Sequence, residues 1–348
     1  MMNIPDTFAE ISSLLFDSIT TSGCGDIIFS TDQYSPESIK SMERKHRGCG
    51  EKLIIGGGAT KRPTEWKQFL TNEENKVQFI RLILKQWSDD NCASKLQGRK
   101  VIFICEECAY LTSGDGLTTR KTEIPLLRSS QEETDTRVVL YSQYAANDHN
   151  TNVRIKSPDS DLFFILLHFA GTMGINILLD TKIQRKSRLI NGTQTAAELG
   201  QEKCTAVLGL HGFTGNDATS AFRGKGKLLP LTKMFKAPQP VTNLAKLGET
   251  WTVTEALNDD CEKFTWALYG EKKAEKVDDM RLNIINKLCT KHGKSIPGNV
   301  DMALLPPCRK SLTQHVHRVH FQVALWTRAN INNPVIPSVG QGHGWLMA

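Results

Sequence analysis

Up to Pro230, short β-rich runs alternate with longer stretches of helical periodicity, and this alternation limits the folds open to the chain more than any other feature. The β-rich runs are 27–29, 53–55, 101–104, 153–156, 175–179 and 188–190. Between several of them lie 66–87, 132–144, 162–169 and 195–208, where apolar residues return at helical spacing. A chain built this way buries its strands in a sheet and covers them with helices, so an α/β layer fold with a largely parallel sheet is predicted. Beyond Pro230 the β-rich runs cease, and helical stretches take over at 253–268, 278–288 and 310–329. A boundary is placed at Pro238 to Pro240, which divides the chain into a domain over 1–237 and a mainly helical extension over 238–348.

At 348 residues, with 39% hydrophobic and 23% charged, the chain can bury one large core or two smaller ones. No apolar run reaches the roughly 18 residues that span a bilayer, and the longest, 162–170, is interrupted by His168. The N-terminus has no basic flank leading into a long apolar stretch, so an intracellular and reducing setting is expected, nuclear ahead of cytoplasmic, with no membrane partner. Of the nine cysteines only Cys105 and Cys108 have CxxC spacing, and a structural zinc site wants a second pair. They follow a run that reads as a buried strand, so packed thiols are expected there. His315, His317 and His320 have no carboxylate or cysteine at ligand spacing and read as a polar face or a partner contact, with Phe321, Leu325 and Trp326 as the packing stripe of the same helix. The net charge of +6 suits a nucleic-acid partner without requiring one, and where the cations cluster matters more than their sum.

In an open α/β sheet ligands bind beyond the carboxyl ends of the strands, so acids that follow strands are the ones to inspect. Asp159 and Asp161 follow the run around Ile155, and Asp217 stands in the turn Gly215-Asn216-Asp217. Glu133 and Asp135 open the helical stretch after Ser130, and Asp32 lies just past the run 27–29. Each acid also has a plain structural reading. An Asp at a helix N-terminus caps free N–H groups, and Ser130 with Glu133 fits a capping box. Taken together, carboxylates gathered at one sheet edge repel one another, and a hard divalent cation such as Mg²⁺ or Mn²⁺ is the usual compensation. Two such ions about 3.5–4 Å apart activate water and stabilise the leaving oxygen in phosphodiester hydrolysis.

The order of these acids resembles the flap-endonuclease group of PIN-like nucleases. There, a helix bearing an E-x-E/D pair precedes a strand ending in D-x-D, and a G-x-D turn then leads into a helix-two-turn-helix. Glu133 with Asp135, Asp159 with Asp161, and Asp217 stand in those places. After Asp217 come Arg223, Gly224, Lys225, Gly226 and Lys227, similar to that group's R-G-x-G segment, whose glycines let backbone N–H groups approach a duplex phosphate. Asp32 and the basic Lys40, Arg44, Lys45 and Arg47 resemble the strand-end Asp and basic segment that precede the group's helical arch. More narrowly, most of the chain resembles a family of animal proteins associated with transposon-like sequences, through the segments 132–137, 157–161, 214–227 and 305–318.

The resemblance implies a PIN-like, Rossmann-like sheet flanked by helices. It implies Mg²⁺ or Mn²⁺ held by Glu133, Asp135, Asp159, Asp161 and Asp217, with Asp32 as a sixth acid, acting on DNA ahead of RNA. The nuclease pattern, however, opens with a strand ending in an Asp, whereas 1–19 resembles the helix after that strand. One carboxylate of the pattern is therefore expected to be missing. A descendant that binds nucleic acid or protein without cutting is the main rival. A haloacid-dehalogenase-type phosphatase is a third reading, disfavoured because no lysine-bearing motif falls clearly between the D-x-D and the G-x-D.

Overall fold

The computed structural model describes residues 4–21, 23, 25–34, 50–96, 98–183, 186–270, 275–291 and 301–345. It is an α/β structure of two mixed sheets and many helices, and the chain divides into two compact units. One comprises Met1–Tyr141 with Ile331–Pro334, the other Ser142–Asn330 with Val335–Ala348.

The first unit holds a four-stranded sheet in the order β1 (Ile27–Phe29), β2 (Val101–Cys105), β3 (Cys108–Gly114) and β4 (Thr119–Glu123). Helix α1 (Phe8–Thr20) starts at a capping box in which Thr7 accepts from the Glu10 amide and Glu10 accepts from the Thr7 amide at 3.0 Å. It packs with α2 (Glu73–Trp87) through Phe8, Phe16, Phe79 and Trp87, and Trp87 meets Phe29 and Phe103 of the sheet edge-on at 4.9 and 5.2 Å. All five residues of β2 are buried. The predicted strand at 53–55 is absent, because side chains of α2 take the place of a neighbouring strand. Asn75 Oδ1 accepts from the Leu53 amide at 2.8 Å, Gln78 Nε2 donates to the Leu53 carbonyl at 2.9 Å, and Gln78 Oε1 accepts from the Ile55 amide at 3.1 Å.

Helix α3 (Thr134–Asn147) leads into the second unit and its three-stranded sheet, ordered β5 (Asn152–Lys156), β6 (Asn176–Ile183) and β7 (Lys186–Asn191). Between β5 and β6 runs α4 (Ser160–Ala170), and after β7 come α5 (Gly192–Leu199) and α6 (Gln201–Phe213). Predicted as one helix, these last two are separated at Gly200, whose φ of 81° stops the first. Helix α6 opens on exposed Gln201, Glu202 and Lys203 and is buried on all sides from Ala206 to Phe213. It packs against α4, α8 (Pro238–Ala245) and α11 (Arg309–Thr327), with α7 (Leu228–Met234), α9 (Glu255–Tyr269) and α10 (Val277–Lys291) completing the helical set. Gly209 makes the close approach to α8 possible, since a Cβ there would lie 2.2 Å from the Leu244 carbonyl oxygen. Because α8 and α11 share the core of α6, the boundary expected at 237/238 falls inside the second unit.

The sheet expected to be largely parallel is mixed. Among the described strands β1–β2 and β5–β6 are parallel, while β2–β3, β3–β4 and β6–β7 are antiparallel. Connections as short as Glu106–Glu107 can only turn a hairpin, whereas the parallel pairs have a helix to cross over.

Candidate acidic site

In the first unit, the segment after β1 docks on the start of α3. Asp32 Oδ1 accepts from the Thr134 amide at 2.9 Å, the Gln33 amide donates to the Glu132 carbonyl at 2.8 Å, and the Ser30 and Thr134 hydroxyls are 2.7 Å apart. Asp32 thus caps a helix more than a hundred residues ahead of it in the chain. The capping box expected from Ser130 and Glu133 does not form; Ser130 is held instead by Asn332 and Asn333. Glu133 and Asp135 are half-buried at the same helix start.

The group that organises this corner is one the sequence reading passed over. Arg137 is 1% exposed and donates to the carbonyls of Gln131 and Glu106 at 2.6 Å each, to that of Ser129 at 3.0 Å, and to Gln33 Oε1. One guanidinium therefore ties the segment after β1, the β2–β3 turn and the approach to α3 together.

In the second unit, Asp159 is the N-cap of α4, accepting from the Asp161 amide at 2.8 Å. Asp161 turns toward α6, where its Oδ1 lies 2.7 Å from His211 Nε2. His211 is 2% exposed, stacks on Phe164 with ring centroids 4.1 Å apart, and lies 5.7 Å from Trp326. Lys227 Nζ reaches the other side of the imidazole, 2.8 Å from Nδ1, and donates to the Gly215 carbonyl at 2.7 Å and the His211 carbonyl at 3.3 Å. Burial lowers the His211 pKa most, the Asp161 hydrogen bond opposes that shift, and the Lys227 charge adds to it. Loss of water around the inner end of Lys227 lowers its pKa too, with Asp161 acting against that.

Asn216 shapes the turn that carries Asp217, its Oδ1 accepting from the amides of Ala218 and Thr219 at 2.7 and 3.0 Å. Gly215 has a φ of 105°, and a Cβ there would lie 2.7 Å from the Ala221 Cα, so the turn requires glycine. Asp217 itself is exposed. Of the basic segment that follows, Arg223 pairs with Asp301 at 2.7 Å and Lys225 lies 4.0 Å above the Tyr269 ring. Gly224 and Gly226 take positive φ values of 77° and 57° within the turn. Lys40, Arg44, Lys45 and Arg47 lie outside the described residues.

The acids therefore fall in two groups: Asp32, Glu133 and Asp135 in the first unit, and Asp159, Asp161 and Asp217 in the second. Their oxygens are of the type Mg²⁺ or Mn²⁺ takes. Among the described residues, however, no three side chains of His, Cys, Asp or Glu come together in a set that could hold a metal ion. What the second unit does bring together is the D-x-D turn and the R-G-x-G segment, joined through His211. No family model, curated protein or solved structure matches the chain. Sequence reading missed His211, although an ionisable residue inside the otherwise apolar, glycine-containing stretch 206–213 was a signal that it has a buried partner.

Proposed function

We propose that the chain carries a PIN-like nuclease-type domain that acts on the phosphodiester backbone of nucleic acid, DNA ahead of RNA, in the nucleus. The observation that carries this reading is the hydrogen-bonded chain Asp161–His211–Lys227, which joins two of the segments that carry the resemblance, 157–161 and 214–227. Asp159, Asp161 and Asp217 are the acids that the second unit contributes, and Glu133, Asp135 and Asp32 those of the first. The resemblance assigns Mg²⁺ or Mn²⁺ to them. The side chains as described do not gather into an ion site, so the metal requirement is the point to test.

A second reading has specific support: binding of nucleic acid or protein without cleavage. Asp32 and Asp159 already serve as helix caps, and among the described residues no three His, Cys, Asp or Glu side chains gather into a set that could hold an ion. Incubating the purified protein with flap, hairpin and single-stranded DNA in Mn²⁺, beside an Asp159→Ala/Asp161→Ala double variant, separates the two. Cleavage that the variant lacks supports the nuclease reading. Cleavage no greater than the variant's, together with affinity for the same DNAs that weakens steeply as salt is raised, leaves the binding reading.

A further inference from the structure

The chain Asp161–His211–Lys227 has a definite polarity. An ammonium can only donate, and Lys227 Nζ has three acceptors within reach: His211 Nδ1 at 2.8 Å, the Gly215 carbonyl at 2.7 Å and the His211 carbonyl at 3.3 Å. His211 Nδ1 therefore accepts, and the ring's hydrogen sits on Nε2, aimed at Asp161 Oδ1 across 2.7 Å. A second ring hydrogen would point at the ammonium, so this arrangement holds the imidazole neutral and in one tautomer. The ring has little room to turn, being 2% exposed and stacked on Phe164 at 28° between planes. The two segments that meet here come from the start of α4 and from the turn before α7, and in the chain β6, β7, α5 and α6 lie between them.

We infer that His211 and Lys227 are positioning residues for Asp161: the imidazole fixes the carboxylate through Nε2–H, and Lys227 places a resident positive charge on the far side of the ring. A carboxylate that must meet a ligand in one orientation is commonly held by an outer partner of this kind. The inference rests on the nuclease-type reading only for what Asp161 would meet; the hydrogen-bond polarity stands apart from it. Lys227, which directly follows the R-G-x-G segment, is thereby assigned to the carboxylate and not to a nucleic-acid phosphate.

Nitrogen-15 NMR of the histidine rings tests it, with His211→Gln used to assign the signal. The expected wild-type result is a single Nε2–H tautomer with a hydrogen-bonded Nδ1. In Lys227→Met the Nδ1 signal moves to that of an unbonded ring nitrogen, and Lys227→Arg keeps one tautomer. An Nδ1–H tautomer in the wild type overturns the inference even if Lys227→Met does not fold, and so does an unchanged ring in a folded Lys227→Met. Titration with Mn²⁺ alone adds a functional arm. If the wild type binds the ion, His211→Phe and Lys227→Met weaken it about tenfold or more while His211→Gln keeps most of the affinity; equal affinity in all four overturns the positioning role. A wild type that binds no Mn²⁺ but shows the expected ring signals supports the arrangement and counts against the nuclease reading instead.

Discussion

Arg137 and Asp32 show how differently two charged residues of one corner can be used. The guanidinium of Arg137 is fully buried among carbonyl and amide oxygens, so removing it strands several acceptors away from water. Arg137→Met is expected to lower unfolding stability by roughly 3 kcal/mol or more, read from urea denaturation, and Arg137→Lys to recover only part because one ammonium cannot reproduce the fork. Asp32 discriminates between a cap and a metal ligand. As the cap of α3 it tolerates Asp32→Asn with little change, whereas Asp32→Ala costs on the order of 1 kcal/mol. A large loss in Asp32→Asn, measured in the same denaturation series, would contradict the capping role. Both residues sit in segments that the sequence reading singled out, yet nothing in the linear pattern says that Asp32 reaches Thr134 or that Arg137 reaches Glu106. Those bonds depend on which chain ends the fold brings together.

Among the elements, the longer helices were legible, whereas the short α7 and α8 and the strand partners were not. Periodicity marks α3, α4, α9, α10 and α11, because a buried stripe repeats every turn whatever it packs against. The hairpin β3–β4 escaped notice, since β4 is largely exposed and polar and has no alternating apolar face. The run 53–55 has the composition of a strand but is bonded by amide side chains of α2, which composition does not reveal. Helix α6 offers a test with an unusual sign. Alanine favours an isolated helix over glycine by about 1 kcal/mol, yet Gly209→Ala is expected to destabilise the protein by roughly 1–3 kcal/mol through overpacking against Leu244. Thermal unfolding of the variant beside the helicity of the matching peptides checks both halves, and a variant that melts above the wild type would remove Gly209 from the packing argument.

At the scale of the molecule, every histidine among the described residues belongs to the second unit, and several are held neutral. Burial pushes His168, His315 and His320 down to about 4 from an ordinary 6.5. His315 donates to the Phe213 carbonyl at 2.9 Å and feels Arg318, while His320 accepts from the Gly248 amide at 3.2 Å and feels His317, Arg328 and His343. Between these two pH values the unfolded chain takes up protons that the folded chain refuses. Stability is therefore full above 6.5 and falls as the pH drops toward 4, by on the order of 1 kcal/mol per pH unit for each such histidine. Hydrogen exchange at pH 5 against pH 7.5, corrected for the intrinsic rate, is expected to show greater loss of protection in α6 and α11 than in β2. Equal loss in both units would overturn the assignment to these histidines.

By itself the sequence determined the longer helices α3, α4, α9, α10 and α11, the α/β class, and the placing of acids after strands and at helix starts, because each follows from local periodicity and from the chemistry of a few neighbouring residues. Only the tertiary structure decided what those acids touch. It gave Asp32 to Thr134 and Asp161 to a histidine that lies 50 residues further on, whereas the cap that Asp159 makes at the start of its own helix is local and was open to the sequence. It likewise turned Lys227 inward, from a basic segment whose composition pointed to a phosphate. A buried polar group must find a partner, and which one it finds depends on the elements packed around it rather than on its neighbours in the chain.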